Sequence, residues 1–232
     1  MALAITRPPA RGFERALRES DRPAVIAEFK RASPSAGEIS DVDLAARAHE
    51  YEAGGATAIS VLTEPTRFGG ALADLQAARM ACSLPVLRKD FLVHPAQVIE
   101  SRAVGADAVL VVAAVVSELE LKALLSTAAD LGIDALVESH SREDLDKALS
   151  SNAPVVGVNA RDLETMEVDV DRALELLPEI PRDRVAVLES GVSSREQVER
   201  ALEAGARAVL VGEALMRAAE PGTMLRELRG SP

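Results

Sequence analysis

Three glycines, each followed by the same kind of segment, set the strongest limit on what this chain can fold into. Gly55-Ala56-Thr57-Ala58-Ile59-Ser60-Val61-Leu62, Gly105-Ala106-Asp107-Ala108-Val109-Leu110-Val111-Val112 and Gly205-Ala206-Arg207-Ala208-Val209-Leu210-Val211-Gly212 are versions of one join. A helix stops, glycine supplies the residue just past its end, and a β-branched apolar strand begins. The glycines stand 50 and then 100 residues apart. If two βα units fill one such interval, a unit is about 25 residues long and eight need about 200, which fits a closed (β/α)₈ barrel.

The other segments fall at that spacing. Strands are expected at Val25–Glu28, Ala58–Leu62, Val86–Arg88, Ala108–Val112, Ala135–Val137, Val155–Val158, Val185–Leu188 and Ala208–Val211. All are near-continuous apolar runs, as strands covered on both faces require. Helical patterns lie between them at Leu44–Glu52, Leu72–Ala81, Pro95–Val104, Glu118–Leu131, Arg142–Leu149, Val170–Leu177, Arg195–Ala204 and Thr223–Leu228. Ser117 and Ser194 read as N-caps. Alternating units of even length favour a TIM barrel over an open doubly wound sheet. We expect a single domain, with residues 1–20 as a short N-terminal segment and 21–232 as the barrel.

Bulk properties narrow the function. The net charge is −11, from 26 basic and 37 acidic residues. That argues against a nucleic-acid partner, which needs a basic face. A site for an anionic substrate then has to be assembled from local lysines, arginines and backbone N–H groups. Cys82 is the only cysteine, so no intrachain disulfide can form, which suits a reducing cytoplasm. Residues 1–10 lack the apolar core of a signal peptide. The most apolar stretch, Ala106–Val116, is too short to cross a bilayer and is interrupted by Asp107. No membrane or cofactor partner is expected.

Barrel active sites sit at the C-terminal ends of the strands. Reading the residues there gives Glu28 and Lys30, then Glu64, Lys89 and Asp90, Glu138, Asn159 and Arg161, Glu189 and Ser190, and Gly212 and Glu213. Only the fourth strand ends without a charge. Glu28 and Lys30 are two apart on an extended chain and point the same way. Each of these residues has a plainer explanation. Glu28/Lys30 fits a structural ion pair, Lys89-Asp90 a solvated loop pair, Asn159 a turn cap, and Gly212-Glu213 a helix start. Their convergence on one rim is what those explanations leave out. Glu64 reads as a loop residue. His49, His94 and His140 have no metal-ligand spacing and read as surface or helix-start residues. Cys82 reads as a packed core thiol.

The motifs on that rim resemble those of the indole-3-glycerol phosphate synthase family. They are Ile26-Ala27-Glu28-Phe29-Lys30-Arg31-Ala32-Ser33-Pro34-Ser35, Ser60-Val61-Leu62-Thr63-Glu64 with Phe68-Gly69-Gly70, and Pro85-Val86-Leu87-Arg88-Lys89-Asp90-Phe91. They continue in Leu136-Val137-Glu138, Gly157-Val158-Asn159-Ala160-Arg161-Asp162-Leu163, Glu189-Ser190-Gly191 and Val211-Gly212-Glu213-Ala214-Leu215-Met216, in family order from about residue 12 onward. The resemblance implies a (β/α)₈ lyase of tryptophan biosynthesis without cofactor or metal. Its substrate is the small anionic 1-(2-carboxyphenylamino)-1-deoxyribulose 5-phosphate, which closes to indole-3-glycerol phosphate with loss of carbon dioxide and water.

It further implies roles for residues. Lys89 would be the general acid, its pKa lowered by burial and a second cation, and Glu138 the second acid/base group. Lys30 would bind the substrate carboxylate and share the acid role, oriented by Glu28. Asn159 and Glu189 would hold hydroxyls and the lysine. Ser190-Gly191 and Gly212-Glu213 would cradle the phosphate, with Ser33 and Arg161 adding contacts. Phe68, Phe91 and Leu110 would line the anthranilate pocket. A monomer is expected, in association with other enzymes of the pathway.

The match has gaps. Most family members carry a longer N-terminal extension whose helix helps to cover the mouth, and here only residues 11–17 correspond to it. Ala36 stands where lysine is common, Ala160 where a second asparagine is common, and Ser139 where an apolar residue is usual. Two other readings stay open at this point: another sugar-phosphate isomerase or lyase barrel, and a degenerate, non-catalytic phosphate-binding barrel.

Overall fold

The structure is a computed structural model and describes all residues except 1–3, 5, 34–36, 39–41, 163–164 and 231–232; the side chains of Ser33 and Glu38 are also outside it. In chain order, helix α1 (Phe13–Glu19) precedes β1 (Ala24–Phe29), and a small antiparallel pair, β2 (Ala32–Ser33) with β3 (Gly37–Glu38), follows. Then come α2 (Leu44–Ala53), β4 (Ala58–Leu62), α3 (Leu72–Ala81), β5 (Val86–Lys89), α4 (Pro95–Val104) and β6 (Ala108–Val112). The second half comprises α5 (Glu118–Asp130), β7 (Asp134–Ser139), α6 (Arg142–Ser150), β8 (Val155–Asn159), α7 (Val170–Leu176), β9 (Val185–Glu189), α8 (Arg195–Glu203) and β10 (Ala208–Val211). Two helices, α9 (Glu213–Arg217) and α10 (Pro221–Arg229), end the chain. The eight long strands are all parallel and close into a barrel, β4 through β10 in sequence with β1 between β10 and β4.

The three echoes are one device. Gly55, Gly105 and Gly205 have φ values of 85°, 106° and 102°, a region that side chains disfavour. In each case the next residue closes the helix: Ala56, Ala106 and Ala206 donate their N–H to the carbonyls of Tyr51, Ser101 and Ala201, all at 2.9 Å. The residue after that starts the sheet. Thr57, Asp107 and Arg207 donate to Val25, Val86 and Ala186 on the neighbouring strand. Helix stop and strand docking are thus written in three consecutive residues. Ser117 and Ser194 cap α5 and α8 as expected, each in a reciprocal box with Glu120 or Gln197.

The strands alternate between an outer layer, packed on the helices, and an inner layer that fills the barrel. Among the first inward residues are Ala24, Ala58, Ala108 and Ala208. Their small side chains leave space for Phe13 and Leu17 of α1, which are fully buried there. The N-terminal helix therefore closes the bottom of the barrel. This corrects the expectation that residues 11–17 belong to a cover over the mouth, at the opposite end. A buried and a half-buried carboxylate anchor the segment: Asp107 accepts from the Arg11 N–H at 2.8 Å and Asp134 from the Glu14 N–H at 2.9 Å. No helix among the described residues is long and apolar enough to cross a membrane.

Candidate active site

Above the apolar layers the inward positions turn polar. Glu28 follows Ile26 on β1, Lys89 follows Leu87 on β5, Glu138 follows Leu136 on β7, and Glu189 follows Val187 on β9. Strand alternation carries each of them inward two residues beyond an apolar plug. They open into a cavity of about 460 Å³ at the C-terminal ends of the strands. Fourteen of the fifteen residues expected at the site line it. The exception is Ser33, whose side chain lies outside the described residues.

Lys89 is the hub. Its Nζ donates to Glu138 Oε2 at 2.6 Å and to Glu189 Oε2 at 3.1 Å, and both carboxylates are almost wholly buried. Glu28 and Lys30 form a second pair at 3.1 Å. Burial by itself would lower the Lys89 pKa, as expected from the sequence. The neighbouring Glu138, Glu189 and Glu28 carboxylates outweigh burial and raise it, which corrects that expectation. The two glutamates divide. Burial favours the neutral form of both, but Lys89 and His140 hold Glu138 well below the usual carboxylate range. Burial and repulsion from Glu138 push Glu189 well above it. One cation between two buried carboxylates stabilises one charge fully and leaves the other costly.

Two glycines make room for this cluster. A Cβ on Gly157 would lie 2.1 Å from Glu189 Oε1, and one on Gly212 would lie 2.3 Å from Glu28 Oε1. Gly212 thus has a packing role besides its place at the rim. Ser190 and Gly191 both adopt positive φ, 67° and 76°, turning the chain sharply after Glu189. A non-glycine residue there is a strained feature of the kind that clusters at functional sites.

The end of the cavity where the resemblance puts the substrate phosphate is lined by backbone and arginines. Ser190, Gly191, Gly212 and Glu213 line it, with Glu213 opening α9. Arg217 Nε donates to Glu213 Oε1 at 3.2 Å, and an Arg161 terminal nitrogen is 3.9 Å from the other oxygen. Arg161 also donates to the Met166 carbonyl at 2.9 Å, while its backbone N–H donates to Asn159 Oδ1 at 3.0 Å. Asn159 therefore does cap a turn, and it faces the cavity as well. Phe68, Phe91 and Leu110 form part of the apolar wall. Glu64 accepts from the N–H groups of Thr66, Arg67 and Phe68 and shapes the loop that presents Phe68.

Three residues at the site escaped the sequence reading or were misplaced by it. His140 stands at a helix start, one of the two places expected for it, but it is buried rather than on the surface, and its Nε2 lies 3.2 Å from Glu138 Oε1. Arg88 points outward beneath the helices and donates to Asp90, Thr63 and Ser101, so Asp90 pairs with Arg88 and the loop on both sides of Lys89 is gripped. Arg217 reaches the rim from a helix that periodicity did not reveal. The alternation Arg88-Lys89-Asp90 did hold a signal, since neighbours of an inward lysine have to point out. His94 caps α4 and His49 is exposed on α2, as expected. Ser139, the departure beside Glu138, faces outward and donates to the Gly157 carbonyl at 3.0 Å. Ala36 lies outside the described residues. Among the described residues no group of His, Cys, Asp and Glu is placed to hold a metal ion.

Fold and site together define a (β/α)₈-barrel enzyme with a charged, buried mouth. Solved barrels of quite different sequence share the fold: a 3-hexulose-6-phosphate synthase from Salmonella typhimurium, 15% identical with a TM-score of 0.69 over 89% of this chain and 97% of that one, and a thiamine phosphate pyrophosphorylase from Pyrococcus furiosus, 16% identical with a TM-score of 0.64 over 90% and 94%. A family model described as Indole-3-glycerol phosphate synthase matches residues 2–228. Proteins named Indole-3-glycerol phosphate synthase from two strains of Acidithiobacillus ferrooxidans are 49% identical over 230 residues, 98% of this chain and 88% of theirs. The chain belongs to the indole-3-glycerol phosphate synthase family, and so to the carboxy-lyases of tryptophan biosynthesis.

Proposed function

We propose that the cluster around Lys89 closes the indole ring of 1-(2-carboxyphenylamino)-1-deoxyribulose 5-phosphate, the reaction of the family. The phosphate binds between Ser190-Gly191 and Gly212-Glu213, with Arg161 at its side. The aromatic ring lies against Phe68, Phe91 and Leu110. Lys30, oriented by Glu28, takes the substrate carboxylate.

Lys89 meets the substrate as an ammonium, because its carboxylate neighbours keep it protonated. It donates to the ketone oxygen while the ring carbon bearing the carboxylate attacks the ketone carbon. Loss of carbon dioxide restores the aromatic ring. Dehydration follows: the new hydroxyl leaves as water with a proton from Lys30, Lys89 having already given its own, and Glu138, held ionised, takes a proton from the ring CH2 beside nitrogen, which forms the indole double bond and leaves the N–H in place. Two carboxylates with pKa values pushed apart suit such a division of labour. Glu189 and Asn159 steady the lysine and the sugar hydroxyls. Phosphorylated intermediates of this kind are cytoplasmic, and we place the enzyme there, as a monomer that acts beside other enzymes of the pathway.

The observation that carries this reading is the Lys89 ammonium held 2.6 Å from Glu138 at the floor of the cavity. Purified protein given the substrate should develop the fluorescence of the indole product and release carbon dioxide. Lys89→Ala should abolish both. Absence of turnover in the wild type, or identical rates in the variant, would overturn it.

A further inference from the structure

The proposed chemistry requires Glu138 to point one way, and Lys89 alone does not ensure that. Lys89 binds one oxygen, Oε2, and the terminal torsion of a glutamate is broad and soft. During the reaction Lys89 also has to turn its protons toward the substrate, which loosens its hold. The other oxygen, Oε1, is 3.2 Å from His140 Nε2. His140 is buried, and among the described residues neither ring nitrogen meets hydrogen-bond geometry, so the Nε2–Oε1 approach to Glu138 is the polar contact its ring makes. An imidazole buried without partners is costly unless a neighbouring group compensates it. His140 does not line the cavity, so it reaches the substrate only through Glu138.

Its backbone is fixed from two sides. The His140 N–H donates to Asp144 Oδ2 on α6 at 3.2 Å, and the preceding Ser139 hydroxyl is tied to β8. A rigid base under the ring is what a group needs if it is to aim another.

We propose that His140 is a positioning residue: it holds Glu138 by the oxygen that Lys89 leaves free, so that the carboxylate keeps its aim while Lys89 serves the substrate. The proposal rests on the reading of Glu138 as an acid/base group. A misplacement of about 1 Å in a reacting group can cost about 100-fold in rate.

The test is a double-mutant cycle in steady-state kinetics. His140→Ala should lower kcat about 10- to 100-fold and leave KM within about threefold. His140→Gln, whose amide reaches the place of Nε2, should recover most of that loss, and it carries the test if the alanine variant folds poorly. Glu138→Gln/His140→Ala should be no slower than Glu138→Gln alone, because His140 acts through the carboxylate. An unchanged kcat in His140→Ala, no advantage of glutamine over alanine, or full additivity in the double variant would overturn the proposal. A slow Glu138→Gln beside a normal His140→Ala removes the role of His140 alone. A Glu138→Gln variant with wild-type kcat removes the underlying reading too.

Discussion

Replacing Gly157 with alanine offers the sharpest test of how the charged cluster is packed. Gly157 sits in β8 with an ordinary backbone, so a methyl group there would normally stabilise the protein by about 0.4–1 kcal/mol through the unfolded chain. The structure predicts the opposite. The new Cβ would lie 2.1 Å from Glu189 Oε1 and 3.2 Å from Leu136 Cδ1. Relieving the first contact requires the carboxylate to retreat by about 1.4 Å, given ordinary non-bonded separations of about 3.5 Å. Its other oxygen is held by Lys89 at 3.1 Å, and that retreat takes the bond out of hydrogen-bonding range. Overpacking costs about 1–3 kcal/mol, and a broken buried pair about 3–5, so Gly157→Ala should lose about 2–5 kcal/mol in urea unfolding. Its kcat should fall about 100-fold as Lys89 shifts. In a Glu189→Ala background the main clash has no object, and adding Gly157→Ala should cost far less than it does alone, with only the Leu136 contact left to relieve. A single variant with wild-type stability and wild-type kcat would refute the packing argument.

Other substitutions probe other parts. Lys89→Met leaves Glu138 and Glu189 facing each other without a cation, so it should lose about 3–5 kcal/mol near neutral pH in chemical unfolding, with a smaller loss in acid. Glu189 has a folded-state pKa raised by burial and by Glu138, so its contribution to stability is full below about pH 4.3 and is lost as pH rises through the raised value. Glutamine does not titrate, and Glu189→Gln should therefore gain on the wild type as pH rises above about 4.3, until the raised value is passed; a gap that stays constant with pH would contradict the assignment. Phe13→Ala, at the barrel bottom, should cost about 3–5 kcal/mol in unfolding with an unchanged kcat, and a loss of activity at equal folded population would contradict the placement of α1.

The barrel was legible because its signals are local. Gly105-Ala106-Asp107 holds a helix stop and a strand start within three residues, and the same text recurs at Gly55 and Gly205. Strand alternation then brought Glu28, Lys89, Glu138 and Glu189 to one rim. Charge balance was not legible, since it depends on partners far apart in the chain. Glu138 and Glu189 are 49 and 100 residues from Lys89, and only their distances decide that attraction outweighs burial. The burial of His140 was not legible for a related reason: a histidine between a strand and a helix start is outward or inward according to a register that no composition rule supplies. The seat of α1 did leave a trace in Ala24, Ala58, Ala108 and Ala208. Four small residues opening strands mark a space, but nothing in the linear text says that Phe13 and Leu17 fill it.

That filled space decides how the site communicates with solvent. With Phe13 and Leu17 wedged among the alanines and apolar layers stacked above them, the barrel is a cup rather than a tube. Among the described residues the rim is the entrance to the catalytic floor. Substrate arrives, and carbon dioxide, water and the bulky phosphorylated product depart, through the same doorway. Gly191 and Gly212, where we propose that the phosphate binds, stand at that doorway, so in this reading the group that anchors the product is also the last thing to clear it. Traffic at the rim, not the chemistry on its floor, then sets the ceiling on turnover once bond-making is fast.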